Sequence, residues 1–285
     1  MDHTAGQFRA LRDLARSQDL RPRALSALVL GCVVLALVYA GPTPFAGLVL
    51  VVAILMSWEW GRVVRGASFD LSFLVHAAAV AVAAVLAAKG SLTLALAAVV
   101  IGATIVWLLC FGFNERLSAV GVLYAGVPAV ALIWLRADEP YGLPAALFLL
   151  LIVWTTDTFA YLGGRLIGGP KLWPSISPNK TWSGLASGVA ASAVLGAVFA
   201  AFVTDAAPAN LAFSALVLAL VAQAGDLSES ALKRRFGVKD ASALIPGHGG
   251  ILDRVDGVVS AATAAALAAL LVNMHAPARA ILLWS

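Results

Sequence analysis

The sequence predicts an all-α, polytopic integral membrane protein, and three observations support this fold class. Of its 285 residues, 61% are hydrophobic and only 12% are charged, with a mean hydropathy of +0.94. Soluble domains are usually about 45–50% apolar. Apolar segments of roughly the 17–25 residues that a spanning helix needs recur along the chain. Basic residues gather in alternate connections, which is the pattern that orients membrane proteins.

Nine segments have the length and the apolar character of membrane-spanning helices. Only a short Gly41–Pro44 turn separates the first two, so eight or ten spans are compatible with the same pattern. The nine segments cover approximately residues 24–40, 45–61, 71–88, 92–112, 117–135, 143–163, 184–204, 209–228 and 256–273.

The distribution of apolar spans and charged residues divides the chain into three regions. Residues 1–23 form a basic segment that we expect to be cytoplasmic, and residues 24–135 form an N-terminal region of about five spans joined by short loops. Residues 136–285 hold about four spans and two long connections, 164–183 and 229–255. Most of the unusual chemistry lies in this last region, which we therefore predict to be catalytic.

The distribution of Lys and Arg predicts the orientation. With a cytoplasmic N-terminus, 16 of the 19 basic residues lie on the cytoplasmic side, and only Lys89, Arg136 and Arg279 lie outside. The positive-inside rule therefore places both long connections in the cytoplasm. The net charge of +4 reflects this orientation and gives no support to nucleic-acid binding.

The segment 226–256 contains five acids, five bases, a histidine and a glycine pair between two apolar spans. Charge of this density beside a membrane helix is unfavourable unless it is paired or binds something. Mg²⁺ takes one or two carboxylates together with water and phosphate oxygens, and two metals can bridge the reacting oxygens of a nucleotidyl transfer. Asp253 and Asp256 are three residues apart and share one side of a helical turn. The candidate metal ligands are Asp226, Asp253 and Asp256.

Bases and glycines in the same segment predict phosphate binding. Glycines at 249 and 250 would let backbone N–H groups approach a phosphate closely. A basic anchor on anionic lipid headgroups is the alternative, but it does not explain the interleaved acids. The candidate catalytic residues are Lys233, Arg234, Lys239, His248 and Arg254, and the candidate substrate-binding residues here are Ser230, Gly249 and Gly250.

The earlier connection contributes a second group, Ser177, Lys180 and Thr181, as candidate phosphate or headgroup contacts. A P-loop is excluded because Pro174 and Asn179 stand where that motif needs glycine. Two further acids lie near the cytoplasmic ends of predicted spans. Glu59 is expected to be either a site residue or a paired structural acid, and Asp157 is expected to line the same cavity.

Small residues recur at every fourth position of the seventh span, which predicts a face for close helix packing or a dimer contact. These residues are Gly184, Gly188, Ser192, Gly196 and Ala200.

The pattern from Ser230 to Asp256, together with the Ser-Pro-x-Lys-Thr motif at 177–181, resembles the signature of the CDP-diacylglycerol synthases (phosphatidate cytidylyltransferases). The family pattern places a glutamate where this chain has Ser183. The matching positions are Ser230, Leu232, Lys233, Arg234, Lys239, Asp240, Ser242, Ile245, Pro246, His248, Gly249, Gly250, Ile251, Asp253, Arg254, Val255 and Asp256.

The resemblance implies a membrane enzyme, located in a bacterial inner membrane, that joins CTP and phosphatidic acid into CDP-diacylglycerol and releases pyrophosphate. It also implies dependence on Mg²⁺, with a second metal or K⁺ as an open question, and a homodimer. Two alternatives stay open at this point. One is a CTP-dependent kinase for a polyprenol-type lipid, which would release CDP, and the other is an ion-coupled transporter.

Overall fold

The computed structural model describes residues 20–245 and 249–285, with the side chains from residue 28 onward. The predicted basic segment 1–23 therefore lies almost wholly outside the described residues, and His248 lies outside them. The described part of the chain contains ten α-helices, which are α1 (Leu20–Tyr39), α2 (Pro42–Arg65), α3 (Leu71–Ala88), α4 (Leu92–Leu109), α5 (Glu115–Arg136), α6 (Gly142–Leu166), α7 (Trp182–Phe199), α8 (Pro208–Arg235), α9 (Leu252–Val272) and α10 (Pro277–Leu283).

The predicted all-α polytopic fold is confirmed. Within the described residues, the eight helices α2 to α9 are long and apolar enough to cross a membrane, counting a short 3₁₀ turn at Ala200–Phe202 with α7. Helix α1 coincides with the first predicted span, and its apolar part Leu28–Tyr39 is shorter than the others. The total of nine spans stays a prediction.

Two helix boundaries differ from the apolar segments in a way that matters for the site. Helix α8 continues to Arg235, seven residues past the predicted apolar segment, and α9 begins at Leu252 instead of residue 256. Hydropathy marks where the apolar surface ends, whereas backbone hydrogen bonding can carry a helix on into polar sequence. Eight of the ten charged residues in the segment 226–256 thus lie on helices, and the connection shortens to residues 236–251.

The connection between α6 and α7 contains a two-stranded antiparallel hairpin, β1 (Lys171–Trp173) and β2 (Ser177–Thr181), which the sequence reading did not predict. Strand β2 leads directly into α7, where the Thr181 Oγ1 accepts a hydrogen bond from the Gly184 N–H at 3.0 Å. Threonine is a favoured N-cap because its hydroxyl satisfies an unpaired donor of the first turn. The cap fixes the hairpin at the end of α7.

The small residues of α7 pack against helices of the same chain. A Cβ built on Gly188 would lie 2.6 Å from the Thr156 carbonyl oxygen of α6, and one built on Gly196 would lie 2.4 Å from the Leu211 carbonyl oxygen of α8. Ser192 adds a hydroxyl–hydroxyl hydrogen bond to Thr156 at 2.7 Å. Of the two predicted roles for this face, the structure supports helix packing within the chain.

The alternating directions of the helices bring one set of ends together. Helices α2, α6 and α8 end, and α5, α7 and α9 begin, at the same end of the bundle as the hairpin. Helix α8 packs against both α7 and α9. This end carries nearly all of the candidate functional side chains.

We predict that Gly188→Val destabilises the protein, because its side chain would have to displace the backbone of α6. Overpacking of this kind typically costs about 1–3 kcal/mol. Thermal unfolding in detergent measures the effect. Gly47→Val is the matched control, since a Cβ at Gly47 meets nothing within 4 Å. Equal unfolding temperatures for the two variants would contradict the packing described here.

Candidate active site

A buried ion triad joins α8 to α9. The ammonium of Lys233 lies 2.7 Å from Glu229 Oε2 and also bonds Asp253 Oδ1. The side chains are only 11%, 2% and 6% exposed for Lys233, Glu229 and Asp253. A buried charge is tolerated when an opposite charge and hydrogen bonds compensate for lost hydration. Lys233, predicted to act on substrate, thus has its ammonium engaged by two carboxylates.

Asp253 also receives backbone donors through its second oxygen. Asp253 Oδ2 accepts the N–H of Gly250 at 2.8 Å and the N–H of Ala241 at 3.1 Å. Gly249, with a φ of +81°, adopts the left-handed conformation that glycine favours. A Cβ there would approach Asp253 Oδ2 to 2.9 Å. The Gly250 amide, predicted to face a phosphate, is therefore bonded to Asp253.

A second network, open to solvent, connects the hairpin with α6 and α8. Lys180 on β2 lies 2.6 Å from Asp226 Oδ2 and donates to Gln223 Oε1 at 3.1 Å. Gln223 in turn donates through Nε2 to Asp157 Oδ1 at 2.9 Å. The side chains of Lys180 and Asp226 are 20% and 31% exposed, so a ligand from solution can reach this ion pair. We call these four residues the hairpin network.

Gln223 is a member of the hairpin network that the sequence reading missed. It is buried, and it lies one helical turn before Asp226 on α8. Its signal in the sequence was an amide within an apolar span, one turn before an acid. Such polar groups inside a membrane segment are seldom without a partner.

Asp256 lies between the ion triad and the hairpin network. It is one turn after Asp253 on α9 and interacts electrostatically with Asp226, Glu229 and Asp157. The hydroxyl of Tyr124 on α5 lies within electrostatic range of Asp256, Glu229 and Asp226, and within the described part of the chain it has no hydrogen-bond partner. Negative charge therefore accumulates around Asp256.

The three predicted metal ligands are divided between two clusters. Asp226 belongs to the hairpin network and Asp253 to the ion triad, with Asp256 between them. Over residues 20–245 and 249–285, no group of three His, Cys, Asp or Glu side chains has the spacing of a metal centre. The donor chemistry still fits Mg²⁺, because two carboxylates with water and phosphate oxygens suffice. The buried Glu229 Oε1, which has no hydrogen-bond partner in the described structure, adds a further hard oxygen nearby.

Glu59 of α2 is fully buried and reaches the start of α9. Its Oε1 accepts the Ile251 N–H at 2.9 Å and the Ser242 hydroxyl at 2.5 Å, and its Oε2 accepts the Leu252 N–H at 2.7 Å. A Cβ on Gly250 would lie 2.5 Å from Glu59 Oε1. Of the two predicted roles for Glu59, the contacts are those of a structural acid, whose partners are two backbone amides and the Ser242 hydroxyl.

The remaining candidates lie around these clusters. Ser230 Oγ is 3.4 Å from Asp226 Oδ1. Arg234 is exposed and donates to the Ile176 and Val238 carbonyl oxygens at 3.4 and 3.2 Å. It thus links the end of α8 to the hairpin.

Two more exposed bases border the site, Lys239 in the connection 236–251 and Arg254 on α9, and Arg254 interacts electrostatically with Asp157. Ser177 begins β2, while Thr181 is occupied as the cap of α7. Ser183, at the position where the family pattern has glutamate, bonds the Gly168 carbonyl oxygen and the Thr181 hydroxyl.

We predict that Lys233→Met lowers stability strongly, because it leaves two buried carboxylates without their cation. Breaking a buried pair in this way costs about 3–5 kcal/mol. Thermal unfolding in detergent should show partial recovery in Lys233→Met/Glu229→Gln, which removes one of the stranded charges. The control is Arg235→Met at an exposed position of the same helix end. A Lys233→Met protein as stable as this control would contradict the ion triad.

Comparison with known proteins relates the whole site to one family. The model of the cytidylyltransferase family matches residues 21–272, which include both clusters and the hairpin. A phosphatidate cytidylyltransferase from Brucella abortus (strain 2308) is 40% identical over 246 residues, covering 86% of this chain and 91% of the relative. Phosphatidate cytidylyltransferases from Staphylococcus saprophyticus and Bacillus subtilis are 46% and 40% identical over 136 and 148 residues. These two matches cover 47% and 51% of this chain, and 51% and 55% of the relatives. The chain belongs to the cytidylyltransferase family, as its signature motif predicts.

Proposed function

We propose that this integral membrane protein is a phosphatidate cytidylyltransferase, which transfers CMP from CTP to phosphatidic acid and yields CDP-diacylglycerol and pyrophosphate. The observation that carries the proposal is the 40% identity over 246 residues to a relative of that name. The architecture agrees, since a site at one end of a bundle of spanning helices can receive a lipid from the bilayer and a nucleotide from water.

The reaction needs no nucleophile from the protein. An oxygen of the phosphatidate phosphate, already anionic, attacks the α-phosphorus of CTP and forms a new P–O bond. The bond from the α-phosphorus to the bridging oxygen of the β-phosphate breaks, and pyrophosphate leaves with the electron pair. The protein contributes by holding the two phosphates in line and by stabilising the charge that builds up between them.

The exposed bases are suited to binding the phosphates. Lys180 is the most direct candidate, because its ammonium lies at the solvent-accessible side of the hairpin network and can exchange Asp226 for a phosphate oxygen. Arg234, Lys239 and Arg254 border the same opening. The candidate catalytic residues remain Lys233, Arg234, Lys239, His248 and Arg254, and the candidate substrate contacts remain Ser177, Lys180, Thr181, Ser230, Gly249 and Gly250.

We further propose Mg²⁺ as the cofactor, held by carboxylates from the set Asp226, Asp253 and Asp256. When bound, the ion would neutralise charge on the triphosphate and on the departing pyrophosphate. Asp226 is the most accessible of the three, and Asp256 interacts electrostatically with it. Whether a second metal or K⁺ takes part is a separate question that metal titration answers.

Location and assembly complete the proposal. The site lies at the end of the bundle where the basic connections gather, which favours a cytoplasmic site and N-terminus under the positive-inside rule. The bacterial relatives favour the inner membrane. The family resemblance favours a homodimer, and because the small residues of α7 pack internally, a dimer contact would use another face.

Product analysis tests the proposed reaction. The purified protein in detergent is given Mg²⁺, phosphatidic acid and CTP labelled at the α-phosphorus. The label should enter the lipid phase with one pyrophosphate released per lipid formed, and chelation of Mg²⁺ should stop both. Release of labelled CDP with a polyprenol acceptor would contradict the proposal and favour a lipid kinase.

We predict that Asp256→Asn abolishes transfer while the protein stays folded, because the carboxylate is central to the negative site and accepts its hydrogen bond from the Gly257 N–H of its own helix. The loss should exceed about 100-fold, the order of magnitude for removing one electrostatic stabiliser of a transition state. Asp205→Asn is the control, since Asp205 is exposed at the other end of the bundle and has a φ of +64°, which asparagine tolerates. Normal turnover by Asp256→Asn would contradict its role.

A further inference from the structure

Glu59 connects the N-terminal region to the charged segment across a separation of 192 residues in sequence. It lies outside the signature that marks the family, on a helix with no other residue assigned to the site. Three donors converge on its carboxylate, from Ser242, Ile251 and Leu252. Because Glu59 is 0% exposed, these donors replace the water that the carboxylate would otherwise bind.

The start of α9 explains why a carboxylate is stable at this position. The first N–H groups of a helix have no partner within the helix, and the helix dipole places partial positive charge there. In the part of the chain that the structure describes, Glu59 forms no ion pair. The two amides and the Ser242 hydroxyl therefore compensate its carboxylate for the loss of hydration. The contact between α2 and α9 is thus an electrostatic one.

Glu59 and Asp253 divide the amides at this helix start between them. Gly250 N–H goes to Asp253, whereas the next two amides go to Glu59. The same division applies to the connection that precedes α9, because Ala241 N–H bonds Asp253 while the neighbouring Ser242 bonds Glu59. The position of Asp253, and of Asp256 one turn later, therefore depends on where Glu59 holds the backbone.

We propose that Glu59 is a positioning residue of the transfer site, which fixes the first turn of α9 and thereby sets the position of Asp253 in the ion triad and of Asp256 beside the phosphates and their metal. The contacts are properties of the structure, and the effect on turnover rests on the proposed cytidylyltransferase function. Glu59 touches no substrate in this account and acts through the backbone of residues 250–252.

Glu59→Gln is the variant that tests the inference. The amide keeps the size of the side chain but removes its charge and one of its two acceptor oxygens. We expect the transfer rate at saturating substrates to fall by about 10-fold to 100-fold, the usual effect of losing an outer partner of a metal ligand. The Mg²⁺ concentration for half-maximal activity should rise, while the KM for phosphatidic acid should change little.

Asp70→Asn is the control for loss of a capping carboxylate, because Asp70 accepts the N–H of Phe73 at 2.6 Å at the start of α3, and it also pairs with Arg65 at 2.8 Å. Helix α3, which Asp70 caps, carries none of the candidate site residues. Asp70→Asn also weakens the pair with Arg65, so it should lower the unfolding temperature at least as much as Glu59→Gln does. Only Glu59→Gln should change the Mg²⁺ response. Hydrogen–deuterium exchange should rise in peptides covering residues 241–256 in Glu59→Gln and stay unchanged in Asp70→Asn.

The outcomes separate the two proposals. A wild-type protein without transfer activity would overturn the proposed function. An active wild-type protein whose Glu59→Gln variant keeps its rate and Mg²⁺ response would overturn the positioning role, whatever happens to stability. If Glu59→Gln does not fold, Ser242→Ala removes a single hydrogen bond from Glu59 and should produce a smaller change of the same kind, and a normal Mg²⁺ response in that variant would overturn the inference.

Discussion

The start of helix α9 is the point on which the site depends, because two buried carboxylates accept the backbone N–H groups of residues 250–252. Asp253 takes the amide of Gly250, and Glu59 takes those of Ile251 and Leu252. Asp253 belongs to α9 and Glu59 belongs to α2. The helix start is therefore stabilised both by a residue of its own first turn and by a residue of a distant helix. The ion triad then attaches the same turn to α8 through Lys233.

Charge at this end of the bundle falls into a buried part and an accessible part. The triad of Glu229, Lys233 and Asp253 is nearly closed to solvent, and its charges compensate one another. The Lys180–Asp226 pair is open enough for a nucleotide to reach. A membrane protein that must bind a highly charged substrate can in this way keep its permanent charges paired, while the groups at the opening exchange partners when the substrate binds.

Much of this organisation could be predicted from the sequence. The apolar segments coincide with helices because a backbone in lipid must satisfy its hydrogen bonds internally. The spacing of Asp253 and Asp256 placed them one turn apart, as they are on α9. The hairpin was missed, since Ser177–Thr181 contains proline and asparagine, which argue against a strand.

The contacts of Glu59 could not be predicted, because no local spacing relates residue 59 to residues 242, 251 and 252. The contact of Gly250 could not be predicted from the sequence either. Its expected role was to bring a backbone amide close to phosphate, but in the structure the missing Cβ makes room for the Glu59 carboxylate. Both features arise only when helices distant in the sequence meet.

An experimental structure with Mg²⁺ and a non-hydrolysable CTP analogue is the most direct test of the central claim, that cytidylyl transfer takes place where the hairpin, α8 and α9 meet. We expect the triphosphate within hydrogen-bond distance of Lys180, with metal density beside Asp226 or Asp256. A triphosphate bound at the other end of the bundle, or away from both carboxylates, would contradict it.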